Sequence, residues 1–190
     1  MSAPSGDIGV WWLGAAAEDA STLGRLCAHL TLAFGMPARL LHGRDRPADA
    51  FDPRRGQHSS TRILGWLAAA CPPRIGKLLA VTDVDLFIPI LTFVYGEAQL
   101  GGRAAVVSTA RLQDGRGPTR SPLFLSRLLK EAVHELGHTF SLLHCGQEGC
   151  VMSRSVNLTE VDAKGETLCD DCRACLKQGG PEKAEEHERP

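Results

Sequence analysis

The sequence predicts an α/β chain in which alternating strands and helices lead into one long helix. Three observations predict it. Over the first 120 residues, short apolar runs of strand length alternate with stretches whose apolar residues recur at helical spacing. A strong helix start then stands at Ser121-Pro122, ahead of a further helical stripe. The composition suits a packed core: of 190 residues, 43% are hydrophobic and 23% charged, in the range of one folded domain.

Ile8–Leu13 reads as a buried first strand. Leu23, Leu26, Cys27, Leu30 and Phe34 then recur at helical spacing, which predicts an amphipathic helix over Glu18–Phe34, ended by Gly35 and Pro37. Ala38–Leu41 is a short strand. Residues 43–60 are polar and rich in Pro and Gly, and are expected as a long exposed loop. Arg62–Ala70 reads as a helix closed by Cys71-Pro72-Pro73. Lys77–Val84 is a strand, with Leu78–Val81 consecutively apolar. Thr92–Ala98 and Ala104–Thr109 are strands joined by a turn at Gln99–Gly102. From Ser121 as N-cap, Leu125, Leu128, Leu129, Ala132, Val133 and Leu136 stripe one helix face. No repeat and no boundary splits the core, so residues 1–176 are expected as one domain and 177–190 as a charged, disordered tail.

Charge and composition exclude several functions. Lys plus Arg is 21 and Asp plus Glu 22, with 5% aromatics and no basic stripe, so nucleic acid is not an expected partner. No apolar run is long enough to span a bilayer, and no membrane partner is expected. Residues 8–17 are apolar, but the first basic residue is Arg25, so the positive region of a signal peptide is missing. A cytoplasmic chain with reduced thiols is the expectation. Five of the seven cysteines nevertheless crowd between Cys145 and Cys175, and such clustering points to metal rather than disulfides.

The informative motif is His134-Glu135-Leu136-Gly137-His138, followed by His144. Four helical residues place the two imidazoles about 6 Å apart along the axis and roughly 40° apart around it, so both reach one zinc ion. Glu135 is placed to take a proton from metal-bound water. In a continuous helix His144 would lie about 15 Å beyond His134, so it can join only if the helix stops after His138 and the chain turns back. Three histidines and one water make a zinc site with an open catalytic position. The competing reading is a chance helical histidine pair; His144 and the cysteines that follow argue against it.

Cys145-x4-Cys150 and Cys169-x2-Cys172 form two pairs that suit a closed four-thiolate zinc site. Cys145 follows His144 directly, and adjacent side chains in extended backbone point opposite ways, so one residue can face each ion. Cys172 and Cys175 form a second C-x-x-C pair, which leaves a shifted quartet open. An iron–sulfur cluster, and with it a redox protein, is the rival assignment.

The run HELGHTFSLLHC-x4-C-V-M, with C-x-x-C further on, resembles the archaemetzincins, a family of metzincin-type zinc metallopeptidases. The motif-bearing match runs from about Ser121 to Cys172, and LTFVYGEAQLGGRAAVVSTARL is similar to the family's segment before the active-site helix. The resemblance implies a metzincin-like zincin fold: a twisted mixed sheet backed by helices, with an active-site helix over about 122–140 and a zinc-stabilised C-terminal loop region. It implies that His134, His138 and His144 bind a catalytic zinc, that Glu135 is the general base, and that Cys145, Cys150, Cys169 and Cys172 bind a second, structural zinc. It makes Met152 the residue of the Met-turn and Phe93–Ala98 the edge strand that pairs with an extended peptide substrate. Two zinc ions per chain and a peptide or protein substrate follow.

There are two departures from the family pattern. Where the family motif has glycine three residues after its second histidine, this chain has Ser141; a left-handed serine costs about 1–2 kcal/mol. The stretch between Met152 and Cys169 is also one residue shorter than usual. The first departure and the second metal motivate an alternative reading, a zinc-stabilised binding or regulatory module with little or no proteolysis, against which the retained Glu135 counts.

Other residues read more plainly. Asp83 and Asp85 could hold a cation but are expected to end a strand; Glu97 is expected to be solvated and Tyr95 packed. His29, His42, His58 and His187 show no partner pattern. Cys27 and Cys71 are expected as small buried side chains.

Overall fold

The computed structural model describes residues 6–14, 20–42, 45–113 and 121–179. The central sheet contains β1 (Asp7–Trp12), β2 (Ala38–Leu40), β5 (Ile75–Thr82), β7 (Gly96–Ala98) and β8 (Ala104–Ser108), in the order β2-β1-β5-β8-β7. The first four of that order pair in parallel, and β7 joins β8 antiparallel at the edge. The sheet is therefore mixed, as the resemblance implies. Side-chain alternation explains why both faces are covered. Ile8, Val10, Leu79, Val81, Ala105 and Val107 pack against α1 (Ala20–Phe34) and α3 (Pro122–Thr139). Trp11, Leu78, Ala80, Ala104 and Val106 pack against α2 (Ser60–Ala70).

The expected loop over 43–60 is in part ordered structure. A 3-10 turn at Ala48–Ala50 leads into β3 (Phe51–Asp52) and β4 (Gln57–Ser59), and β4 pairs in parallel with β6 (Leu86–Phe87). Strands of two and three residues carry no alternation to read, and β4 finds its partner far along the chain. Residues 92–95 are not strand; only Gly96–Ala98 of the expected segment joins the sheet, beside an isolated bridge from Val94 to Leu86. Two short helices were not expected, α4 (Leu158–Ala163) and α5 (Asp170–Lys177). The expected tail begins inside α5 at Lys177, and residues 180–190, like the expected helix start at Glu18, lie outside the described residues.

The helix start that Ser121-Pro122 predicts is in place: the Ser121 hydroxyl accepts from Phe124 N–H and Pro122 occupies the first turn. No helix among the described residues is long and apolar enough to cross a membrane. Asp83 and Asp85 are taken up by arginines, Asp83 with Arg46 at 2.7 Å and Asp85 with both arms of Arg111 at 2.6 and 2.7 Å. Tyr95, Cys27 and Cys71 are buried as expected, and Glu97 accepts from the Thr61 hydroxyl.

Candidate metal centre

The last turn of α3 builds the site. The helix stops at Thr139, and Ser141 takes φ 65°, the one non-glycine positive φ among the described residues. Ser141 N–H donates to His138 O at 2.9 Å and Leu142 N–H to Gly137 O at 3.2 Å. This pattern is the Schellman stop, whose left-handed position is normally glycine. The strain that serine carries there, about 1–2 kcal/mol, is thus real in this chain and is tolerated. Leu142, 2% exposed, turns inward beside Gly137, and the chain returns to bring His144 back over the helix.

His134, His138 and His144 offer nitrogens that all lie within 4.8 Å of one another. His134 Nδ1 stands 2.9 Å from Val151 O and His138 Nδ1 2.7 Å from Leu142 O. A carbonyl only accepts, so each Nδ1 carries the proton and each Nε2 keeps its lone pair for a ligand. The two Nε2 atoms are 3.2 Å apart. Two nitrogens bound at about 2.0–2.1 Å to one tetrahedral ion stand roughly 3.3–3.4 Å apart, so the pair is already spaced for a shared metal. Burial lowers the pKa of all three imidazoles, furthest for His134, and Lys164 adds to it. They are neutral at pH 7, the form a metal requires.

Glu135 is buried on the same helix, and β7 crosses directly above it. A Cβ on Gly96 would come within 2.5 Å of Glu135 Cγ and 2.6 Å of Val106 O, so only glycine lets the edge strand approach this closely. Burial pushes the Glu135 carboxyl well above its ordinary range; the Glu131 carboxylate adds to this and the Lys164 ammonium opposes it. A dication at the three imidazoles would act in the same direction as Lys164. Lys164 itself is 2.8 Å from Glu131 in an ion pair whose side chains are 2% and 4% exposed, and it reaches Ser153 O at 3.4 Å. The pair ties α3 to the segment behind Met152. A cleft of about 290 Å³ opens here, lined by residues 91–96, by Glu131, His134 and Glu135, and by His144 and residues 154–156.

Met152 is fully buried against the helix at Gly137. A Cβ on Gly137 would lie 2.6 Å from its sulfur, so the helix glycine is what admits it. Met152 O in turn accepts from Cys145 N–H at 3.0 Å.

Beyond His144 the chain carries the cysteines to a second point. The sulfurs of Cys145, Cys150, Cys169 and Cys172 lie within 4.8 Å of one another, with 3.8 Å for both Cys145–Cys169 and Cys150–Cys172. A disulfide needs about 2.05 Å, whereas four thiolates at about 2.3 Å from one tetrahedral ion stand roughly 3.8 Å apart. The spacing fits one shared ion. Four thiolates on the separate irons of a cluster would stand wider apart, which disfavours the iron–sulfur assignment. Cys175 is outside the group, so the shifted quartet is not formed. The unforeseen α5 explains the choice: Cys169 caps it and Cys172 follows one turn later on the buried side, while Cys175 is left half-buried.

Gly96, the Glu131–Lys164 pair and a buried lysine on β5 were not found by sequence reasoning. For Gly96 there was a signal, a glycine at a strand position, which often marks close backbone approach. For Glu131 and Lys164 there was none, because the partners stand thirty-three positions apart, with His144 and the first cysteine pair between them.

Residues 74–178 match the profile of Peptidase family M54. The chain is 42% identical over 138 residues to archaemetzincin from Methanopyrus kandleri, covering 70% of this chain and 76% of that one. It is 41% identical over 150 residues to archaemetzincin from Methanocaldococcus jannaschii, covering 77% and 80%. The crystal structure of the Methanopyrus kandleri archaemetzincin superposes with a TM-score of 0.82 at 35% identity, covering 93% of this chain and 96% of that one.

Proposed function

The chain belongs to peptidase family M54, the archaemetzincins, and is a zinc metallopeptidase; we propose that it cleaves peptide bonds at the His134–His138–His144 site with Glu135 as general base. The observation that carries this reading is the convergence of three neutral imidazoles beside a buried carboxylate, under the free edge of a sheet. The three histidines would hold the catalytic zinc. When bound, that ion supplies polarisation of the scissile carbonyl and a lowered pKa for the attacking water.

Glu135 accepts the proton of the attacking water and hands it to the leaving amide nitrogen. Its burial keeps competing solvent away and makes it a stronger base once ionised. The outer edge of β7 pairs with an extended substrate, adding a strand to the sheet beside the cleft. Support for this is the terminal place of β7 in the sheet and the contact of Gly96 with Glu135. Cys145, Cys150, Cys169 and Cys172 would hold a second zinc as a closed, structural site, and Met152 packs beneath the histidines as the Met-turn residue. The second ion pins the loop that carries His144. Thiols at ion rather than disulfide spacing support a reducing, cytoplasmic setting.

Ser141 and the second metal motivate the binding-only alternative. The left-handed Ser141 and the return of His144 to the other two histidines support the peptidase reading over it. The test is Glu135→Ala, assayed on a peptide library alongside elemental analysis. Chelator-sensitive cleavage by the wild type, lost in the variant at unchanged zinc content, is the expected result. Continued hydrolysis by the variant would overturn the role of Glu135.

A further inference from the structure

Lys77 sits on the central strand β5, in a row otherwise made of apolar residues, and is 9% exposed. Its Nζ donates to Thr139 O at 2.5 Å and to Gly102 O at 2.7 Å, and lies 4.7 Å above the ring of Phe140. Thr139 is the last residue of α3. The lysine therefore binds the terminal carbonyl of the metal-binding helix from inside the protein.

The other carbonyls of that turn are also accounted for. Leu136 O accepts from the Thr139 hydroxyl at 2.7 Å. Gly137 O accepts from Leu142 N–H. His138 O accepts from Ser141 N–H and, at 2.9 Å, from Gly101 N–H in the turn between β7 and β8. Were α3 to continue, His138 O and Thr139 O would be the acceptors for Leu142 and Leu143. Both are engaged from outside the helix, by the β7–β8 turn and by Lys77. A cation at this end also complements the negative pole of the helix. The ordinary device for ending a helix here is glycine at the left-handed position, which this chain lacks.

We propose that Lys77 is the positioning residue that stops the metal-binding helix and sets the return of His144, in the place of a glycine at position 141. The inference rests on the reading that His134, His138 and His144 hold the zinc. Lys77 touches neither substrate nor metal; it acts through Thr139 and the turn that follows. With the lysine removed, Thr139 O loses that donor, and the serine strain favours unwinding the turn. His138 then loses the Leu142 carbonyl that orients its ring, and His144 loses its place.

The experiment compares wild type, Lys77→Met, Ser141→Gly and the double variant. Zinc content and affinity are measured by chelator competition, and amide exchange is followed over residues 140–142. In Lys77→Met the histidine site should bind zinc at least tenfold more weakly while the cysteine site stays loaded. Protection of the Ser141 and Leu142 amides should fall, with the first turns of α3 unchanged. Adding Ser141→Gly to Lys77→Met should restore most of the affinity, and Ser141→Gly alone should change it less than threefold. Should Lys77→Met fail to fold, Lys77→Leu, which likewise has no donor, takes its place with the same outcomes expected. Unchanged zinc affinity would overturn the inference. So would loss of both metals together without rescue by Ser141→Gly, since that is what a purely structural lysine would give. A wild type that binds no zinc through its histidines would instead overturn the reading beneath it.

Discussion

Replacing Gly96 by alanine asks whether the distance between the edge strand and Glu135, the proposed general base, matters. The added Cβ would lie 2.6 Å from Val106 O, 2.5 Å from Glu135 Cγ and 2.8 Å from Glu135 Cδ. Relaxed contacts of this kind need about 3.5–4.0 Å, so β7 or Glu135 has to move by roughly 1 Å or more. Val106 O is backbone in the strand paired with β7 and cannot rotate aside. The strain should cost about 1–3 kcal/mol, as overpacking usually does. At about 2–4 °C per kcal/mol for a chain of this length, that is a drop in Tm of several degrees. The catalytic effect should be larger, because displacing a reacting group by about 1 Å can cost on the order of 100-fold. The assay is kcat/KM on a cleavable peptide, with zinc content and Tm measured on the same sample. The expected result is a 10- to 100-fold fall in kcat/KM at unchanged zinc content. Wild-type kcat/KM would refute the reasoning, and a loss of zinc matching the loss of activity would refute it too, because the fault would then lie in the metal site.

Three further predictions concern the supports of the site. Asp162 binds both arms of the buried Arg127 at 2.7 and 2.6 Å, and this guanidinium holds its pKa below the ordinary carboxylate value. A depressed carboxylate stabilises fully above its unfolded pKa, about 3.9, and loses that stabilisation as pH falls through the folded value. Asp162→Asn should therefore cost about 1 kcal/mol at neutral pH by urea unfolding, solvent screening this partly exposed carboxylate, and the difference should shrink as pH falls below about 3.9. Lys164→Met leaves Glu131 buried without its counter-ion, at a cost of about 3–5 kcal/mol when ionised. Burial already raises the Glu131 pKa, so the variant should lose stability as pH rises, and denaturation midpoints at pH 5.5 and pH 8 would show the slope. Cys175→Ser should leave the metal content unchanged, whereas Cys172→Ser should remove one ion and weaken the histidine site; equal losses in both variants would mean that Cys175 is a ligand.

Much of the site was legible because its parts are local. The histidine pair needs only helical spacing, the helix start only Ser121 and Pro122, and the turn after His138 only the requirement that His144 come back. The identity of the cysteine quartet was not legible, because Cys169-x2-Cys172 and Cys172-x2-Cys175 are the same pattern until α5 is placed. The strands at 51–52, 57–59 and 86–87 were missed for a related reason. They are too short to show periodicity, and the β4–β6 ladder joins segments nearly thirty residues apart.

By itself the sequence determined the make-up of the candidate site: three histidines and a cysteine cluster at ligand spacing, the carboxylate beside the histidines, and the helix that presents them. The helix-borne part follows from spacing along one element, where backbone geometry converts sequence distance into spatial distance. Tertiary structure alone decided what makes that site workable. It decided that Gly96 lets the edge strand touch Glu135, that Lys164 pairs with Glu131 under the cleft, and that Ser141 can hold a left-handed turn. Each of these depends on which distant segments come to lie within a few ångströms, and packing fixes that only when the whole chain has folded.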